Sequence, residues 1–159
     1  MRLLNFTHTF PAFISAFISV FMTAAVSTAV AQTTDDSQQK QIRTLVSSTY
    51  DQPGHKVETS PIVIANGYAI ADWVQGEKGG RALLRNTKGK WEIMACGGDG
   101  LKDIKTLSDA GIAKKTAKNL VAQLTRAEQS VSPDRIKRFG LFGTPNDPRL
   151  TEHHNHSQP

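Results

Sequence analysis

Cysteine is nearly absent from this sequence, since Cys96 is the only one among 159 residues. A single cysteine excludes an intramolecular disulfide, so packing rather than cross-linking must hold the fold together. Aromatic residues are also scarce, at 7%. The formal net charge is +5, but the basic residues are interspersed with acidic ones and form no array with aromatic residues. The pattern therefore lacks the features of a nucleic-acid-binding surface.

Long apolar runs are missing everywhere except at the N-terminus. Residues 10–31 carry no charged side chain, Arg2 precedes them, and the run ends in Ala29-Val30-Ala31 before a polar stretch. This order is typical of a secretory signal peptide with a small-residue cleavage site. We therefore expect residues 1–31 to be removed on export, leaving no membrane anchor. A retained membrane-spanning anchor is the alternative.

The part of the chain after the signal peptide is long enough for one modest domain, which we place at residues 32–143. The stretch "DDSQQKQIRTLVSSTYD" predicts an amphipathic helix, capped at Asp36 or Ser37, with its apolar residues at helical spacing. Four strands and several short helices follow. Residues 144–159 are polar and contain three prolines, so we predict a flexible tail.

Asn66-Gly67 lies between two apolar runs and predicts a two-residue β-hairpin turn. This turn pairs Ile64 with Ala69. A second hairpin is predicted with residues 86–89 as its loop and Arg85 opposite Lys90. Met94 and Cys96 then lie on the face opposite Trp91 and Ile93.

The predicted order of helix, strands and helices defines an α+β fold. Its N-terminal helix would lie on a four-stranded antiparallel meander, in a cystatin-like or helix-grip arrangement, followed by C-terminal helices. In the longest of these, apolar residues form one stripe: Ala117, Leu120, Val121, Leu124 and Ala127. Pro133 at a first helical position and Gly140 near an end bound the last predicted helix.

Three histidines of the tail, His153, His154 and His156, are close enough in sequence to bind one metal ion without help from a fold. Imidazole is a common ligand of Cu(II), Ni(II) and Zn(II). Met94 and Cys96 supply a thioether and a thiol, which are soft donors suited to Cu(I). The competing interpretation for both sulfur residues is ordinary core packing, and for the histidines an accidental cluster.

Other polar residues of the predicted domain allow two further interpretations. Cys96 precedes a glycine turn and would be a nucleophile only if His55 acted as its base, although "CGGDG" matches no cysteine-hydrolase signature. Asp72 and the arginines Arg81 and Arg85 are expected to form a row of surface ion pairs across neighbouring strands, each of small energy. Neither pattern predicts an enzyme.

The phrases "AIADWVQG", "GGRALLR", "GKWEIMACGGDGLKD" and "LSDAGI" resemble bacterial secreted proteins known as copper uptake system-associated proteins. The resemblance extends over roughly residues 40 to 143. It implies a periplasmic accessory protein linked to copper acquisition, with an outer-membrane copper receptor or another uptake component as partner. It assigns no catalytic residue, and it marks Cys96 only as part of the shared pattern.

Three hypotheses therefore follow from the sequence. The first is a non-enzymatic, periplasmic copper-binding accessory protein that uses His153, His154 and His156, with Cys96 and Met94 as further metal ligands. The second is a metal-independent module that binds a partner protein. The third is a thiol-dependent enzyme that uses Cys96, which we do not expect because the local sequence supplies no convincing base for the thiol.

Overall fold

A computed structural model of the chain describes residues 27–152, and side chains are described for residues 35–150. Residues 1–26 of the predicted signal peptide and the histidines at 153, 154 and 156 lie outside the described residues. Within the described range no helix combines the length and hydropathy that crossing a bilayer requires.

The fold is α+β, as the sequence predicts. Helix α1 comprises Ser27–Tyr50 and is followed by four strands, β1 (Glu58–Ala65), β2 (Tyr68–Gln75), β3 (Lys78–Thr87) and β4 (Lys90–Gly97). A short 3-10 helix, Asp99–Lys102, leads into α2 (Ile104–Asp109), α3 (Lys114–Glu128), α4 (Pro133–Leu141) and α5 (Arg149–Glu152). Helix α1 begins before the predicted cap at Asp36 or Ser37, because no glycine or proline interrupts the preceding residues.

The four strands form one antiparallel meander in the order β1-β2-β3-β4. Ile64 pairs with Ala69 across the Asn66-Gly67 turn, which confirms the predicted register of the first hairpin. Asn66 and Gly67 both have positive φ, at 48° and 77°. That conformation is accessible to asparagine and glycine, and it matches the twist of the two strands.

The second hairpin differs from its predicted register. Its turn is Lys88-Gly89, both with positive φ, so Thr87 pairs with Lys90 and Arg85 pairs with Glu92 instead. A shift of two residues leaves the two faces unchanged, because side chains alternate with period two. Asn86 remains in the strand, and its side-chain oxygen accepts a hydrogen bond from the Gly89 N–H at 2.9 Å.

A β-bulge in β4 then reverses the predicted face of Cys96. Leu84 pairs with Ile93 and Leu83 pairs with Ala95, so Met94 is the extra residue. Beyond the bulge Cys96 pairs with Ala82 and packs on the same face as Ile93. The prediction that Cys96 lies opposite Trp91 and Ile93 is therefore wrong, because an inserted residue changes the alternation.

Helices cover both faces of the sheet, and each face has its own apolar core. On the first face, Ile42 and Val46 of α1 pack against Val57, which precedes β1, and against the sheet residues Ile62, Ala69, Ala71, Ala82, Leu84 and Trp91. On the second face, α3 and α4 cover the sheet, and α2 packs against α3. The buried residues of this core come from the strands, the 3-10 helix, α2, α3 and the loop between these two helices: Val63, Ala65, Ile70, Leu83, Leu101, Leu107, Ile112, Ala117, Leu120 and Leu124. Val121 and Ala127 are partly buried beside them, which confirms the predicted stripe of α3.

Glycines allow the C-terminal segment to approach the end of the sheet closely. A Cβ at Gly79 would lie 2.7 Å from the carbonyl oxygen of Arg138 in α4. A Cβ at Gly98 would lie 2.6 Å from the carbonyl oxygen of Gly140. Both contacts are with backbone atoms, which cannot move without distorting α4, so neither position has room for a side chain. They place Phe142, at the end of α4, against the α1 face of the sheet.

Candidate functional site

Cys96 lies near the end of β4, where the α1 face of the sheet meets the C-terminal segment. Its thiol is half-buried and free. The hydroxyl of Tyr50, the last residue of α1, lies 3.8 Å from the Cys96 sulfur. The end of a helix and the end of a strand therefore hold the two side chains together.

A cavity of about 340 Å³ opens beside this thiol, and we call it the Cys96 cavity. It lies between the end of α1, the ends of β2 and β3, and the segment after α4. Its lining residues are Tyr50, Gln52, Val57, Trp73, Gln75, Lys78, Cys96, Phe142 and Arg149. The volume is at the lower end of the range found for small-molecule sites.

Aromatic rings form one wall of the Cys96 cavity. The rings of Trp73 and Phe142 meet edge to face with 5.9 Å between their centroids. Gly80 makes room for this pair, because a Cβ there would lie 2.9 Å from both rings. The amide of Gln75 is fixed by donating to the carbonyl oxygens of Tyr50 and His55, at 3.0 and 2.8 Å. The wall is therefore pre-formed.

Arg149 contributes a cation to the cavity from the start of α5. Its guanidinium carbon lies 3.4 Å from the centroid of the Phe142 ring. The guanidinium also pairs with the carboxylate of Asp147, which is buried and accepts a hydrogen bond from the Gly143 N–H at 2.7 Å. These hydrogen bonds, those from Arg149 above all, hold the pKa of Asp147 well below its ordinary value. Asp147 and Arg149, which the sequence predicts to be part of the flexible tail, therefore lie against the domain.

The environment of Cys96 keeps its thiol mostly protonated at neutral pH. Burial raises the pKa of Cys96, while the Tyr50 hydrogen bond and the charge of Arg149 oppose that rise without cancelling it. The pKa of Tyr50 is raised by burial and by its contact with Cys96. An electrophile or metal ion that binds the sulfur must therefore displace a proton.

Met94 is the bulge residue of β4 and is 37% exposed. With Cys96, Tyr50 and Phe142 it lines a second, shallower opening between α1 and β4. The two sulfur side chains thus border one opening, although the bulge has changed the face on which Cys96 lies. In the part of the chain that the structure describes, no group of three or more His, Cys, Asp and Glu side chains could hold a metal ion.

The described histidine, His55, does not line the Cys96 cavity. It borders a neighbouring opening with Gln52, Gln75 and Pro148. The described lining of the Cys96 cavity includes neither an imidazole nor a carboxylate. The base that a cysteine nucleophile requires is therefore not supplied by the described lining.

A cluster of charged residues is buried on the opposite face of the sheet, and sequence reasoning missed it. We call Asp72, Arg81 and Glu128, with their partners Asp99 and Lys102, the buried ion cluster. The first three are buried, whereas the side chain of Asp99 is 77% exposed and that of Lys102 is 28% exposed. Arg81 is fully buried and donates to Asp99 at 2.9 Å and to Glu128 at 2.7 Å. Its Nε lies 3.3 Å from a carboxylate oxygen of Asp72, and Lys102 pairs with Glu128. The expected surface row of Asp72, Arg81 and Arg85 is therefore wrong for the first two residues.

The cluster contains two cations and three carboxyl groups. Burial raises the pKa of Asp72 to about 8, even though Arg81 acts in the opposite direction. Burial also opposes ionisation of Glu128, but hydrogen bonds from Lys102 and Arg81 outweigh it and hold the pKa of Glu128 below its ordinary value. With Asp72 protonated, the two cations of the cluster face two carboxylates, those of Asp99 and Glu128. The alternation of β2, which assigns Asp72 to the same face as Ile70 and Val74, is the signal that could have predicted its burial.

Comparisons of this chain with models of protein families, with curated proteins and with solved structures find no match.

Proposed function

We propose that this protein is an exported, non-enzymatic accessory protein that binds or handles copper during copper uptake. One observation carries the proposal: the thiol of Cys96 and the thioether of Met94 border the same opening between α1 and β4. Both are soft donors that favour Cu(I). The resemblance to secreted copper uptake system-associated proteins and the expected signal peptide support the same function.

The residues around the opening have distinct roles in this proposal. Cys96 supplies a thiolate after releasing its proton, and the Tyr50 hydroxyl at 3.8 Å and the nearby charge of Arg149 favour that release. Trp73 and Phe142 restrict the access of water from the cavity side. His153, His154 and His156 supply imidazoles for Cu(II) or Cu(I). Copper is the cargo in this scheme, and no covalent chemistry is required of the protein.

Anaerobic titration with Cu(I) in the presence of a chromophoric competing chelator tests this function. We expect tight binding by the wild-type protein and at least tenfold weaker binding by Cys96→Ser. Met94→Leu keeps the side-chain volume and removes the thioether, so a smaller loss is expected. Ser130→Ala, an exposed substitution in the turn after α3, is the control and should bind as the wild type does. Failure of the wild-type protein to compete for Cu(I) would refute the proposal.

A second candidate function is metal-independent binding of a partner protein in the periplasm. The pre-formed aromatic wall of the Cys96 cavity favours it, because aromatic rings and arginine are enriched at protein interfaces. Affinity capture from a periplasmic extract, with and without a chelator, distinguishes the two functions. Capture of one defined partner that persists with the chelator and is weakened by Arg149→Gln would favour the second. Capture that requires copper would favour the first.

A further inference from the structure

The described lining of the Cys96 cavity contains basic side chains but no acidic one. Arg149, at the start of α5, and Lys78, at the start of β3, both line it. Glu77 borders the neighbouring opening together with Lys78, but it does not line the cavity. Asp147, which pairs with Arg149, is also outside the described lining. Charge complementarity therefore favours an anion as the ligand of this cavity.

The guanidinium of Arg149 is held in place on two sides and still has donors for a ligand. Its Nε donates to the two carboxylate oxygens of Asp147 at 2.8 and 3.0 Å, and its Nη2 pairs with the same carboxylate. Its plane is fixed further by the Phe142 ring, 3.4 Å from the guanidinium carbon. Within the described residues Nη1 makes no hydrogen bond. The N–H groups of Nη1 are thus suited to bind a carboxylate oxygen.

The remainder of the lining is suited to an apolar ring. Trp73 and Phe142 offer two aromatic surfaces at right angles to one another, with an interplanar angle of 86°. Val57 lines the cavity beside them and is buried. A flat ring can stack on one of these aromatic surfaces while its edge contacts the other. The cavity therefore combines an apolar side and a cationic side within about 340 Å³.

We propose that the Cys96 cavity binds a small organic anion, a carboxylate joined to an aromatic or other flat apolar ring. The ring packs against Trp73 and Phe142, and the carboxylate accepts a hydrogen bond from Arg149 Nη1 and is attracted by the ammonium of Lys78. Because Asp147 already compensates part of the Arg149 charge, a singly charged carboxylate suits the site better than a doubly charged phosphate. This binding goes beyond the proposed function and requires neither a metal ion nor a covalent step.

Binding of such a ligand requires little rearrangement, because the walls are fixed before it arrives. The close approach of Gly79 to the backbone of Arg138 holds α4 against the sheet and so positions Phe142. The Asp147 carboxylate, which holds Arg149, is itself fixed by the Gly143 N–H at 2.7 Å. A pre-formed site avoids the free-energy cost of ordering its side chains on binding.

Three probes that differ only in their polar group test the proposed class of ligand. They are 2-naphthylacetate, the neutral 2-naphthylacetamide and the cationic 2-(2-naphthyl)ethylamine, each titrated into the metal-free full-length protein labelled with ¹⁵N. The indole N–H signals of the two tryptophans report the location. Trp73 lines the cavity, whereas Trp91 borders a different opening beside α1 and is the internal control.

We expect the Trp73 signal to shift with 2-naphthylacetate while the Trp91 signal stays in place. The carboxylate should bind at least about tenfold more tightly than the amide, because hydrogen bonds to a charged group are the stronger ones, and the amine should bind most weakly. Equal affinities for the three probes would overturn the assignment of an anion. Shifts confined to Trp91, or no shift with any probe at millimolar concentration, would overturn the cavity as the binding site.

Arg149→Gln tests the residue that is expected to contact the carboxylate. It should weaken binding of 2-naphthylacetate about fivefold or more and change binding of the amide less than about twofold. Arg85→Gln, which removes a 49% exposed arginine of β3 outside the cavity lining, is the matched control and should bind as the wild type does. Equal affinity of Arg149→Gln and the wild type for 2-naphthylacetate would overturn the role of Arg149. Circular dichroism verifies folding, and the three-probe comparison on the wild type decides the inference if Arg149→Gln does not fold.

Discussion

Arg81 is the residue on which the buried ion cluster depends. It is fully buried, it contacts Asp72, Asp99 and Glu128, and its guanidinium carbon lies 5.8 Å from the centroid of the Phe139 ring. Breaking a buried pair leaves uncompensated charges in a low-dielectric environment, and that is far more costly than losing an exposed pair. A single side chain therefore connects β2, β3, α3, α4 and the 3-10 helix.

Substitution of Arg81→Met should lower the free energy of unfolding by about 3–5 kcal/mol. Arg85→Met is the matched control, because Arg85 is on the same strand but is 49% exposed and pairs with Glu92 at 3.5 Å. Its loss should be below about 1 kcal/mol. Urea denaturation of the three proteins measures both effects. Equal losses for the two variants would contradict the role assigned to Arg81.

Asp72 should make the protein less stable as the pH rises from about 4 to about 8. Burial raises the pKa of Asp72 from 3.8 to about 8 in the folded protein. Between these values the folded state holds a proton that the unfolded state has lost, so rising pH favours unfolding by up to about 1.4 kcal/mol per pH unit. The lowered pKa values of Glu128 and Asp147 act only in the more acidic range.

Asp72→Asn removes this titration and tests the assignment. We expect urea denaturation between pH 5 and pH 8 to show a decline in stability for the wild type and a smaller decline for Asp72→Asn. Glu92→Gln, which changes an exposed carboxylate of β4, should follow the wild-type profile. Parallel profiles for the wild type and Asp72→Asn would show that Asp72 is ionised in the folded state.

At the scale of elements, the contact between β4 and the end of α4 depends on the absence of a side chain at Gly98. A Cβ there would lie 2.6 Å from the Gly140 carbonyl oxygen and 2.9 Å from that of Phe142. This contact directs Phe142 towards Trp73 and so builds the wall of the Cys96 cavity. The glycines after Cys96 are therefore packing residues as well as turn residues.

Gly98→Ala should lower the free energy of unfolding by about 1–3 kcal/mol, because the added methyl group overlaps backbone atoms. Gly100→Ala is the control, since a Cβ there meets nothing within 4 Å. It should change stability by less than about 0.5 kcal/mol. Thermal or urea denaturation measures the difference. A Gly98→Ala protein as stable as the Gly100→Ala protein would contradict the close approach of α4.

At the scale of the whole molecule, the sheet separates two cores that share no residue. Ile42 belongs to the core under α1, and Leu120 belongs to the core under α2 and α3; both are fully buried. The Cys96 cavity lies on the α1 side, and the buried ion cluster lies on the other.

Truncating a buried side chain in either core should lower the free energy of unfolding, and the losses from the two cores should add. Ile42→Ala and Leu120→Ala should each lower the free energy of unfolding by about 2–5 kcal/mol. The double variant should lose the sum within about 0.5 kcal/mol, because distant residues without shared contacts behave independently. Urea denaturation of the four proteins closes the cycle. A large deviation from the sum would show that the two faces are coupled.

The elements of this fold could be predicted because their signals are local. Asn66-Gly67 specifies the first hairpin and its register, since few other residue pairs adopt positive φ at both turn positions. The apolar stripe of α3, which includes Leu120, specifies which face of that helix is buried. Helical and strand periodicities follow from backbone geometry, so they can be recognised in the sequence without knowledge of the neighbouring elements.

The sequence alone determined the α+β class, the order of the elements and the first hairpin, because each depends on residues near one another in the chain. Only the tertiary structure decided the face of Cys96, because a bulge at Met94 depends on how β3 and β4 fit together. It also decided that Asp72 and Arg81 are buried. Their burial depends on the helices that cover that face, which are distant in sequence. The alternation of β2 assigns Asp72 to the face of Ile70 and Val74, but that alternation does not specify which elements cover the face.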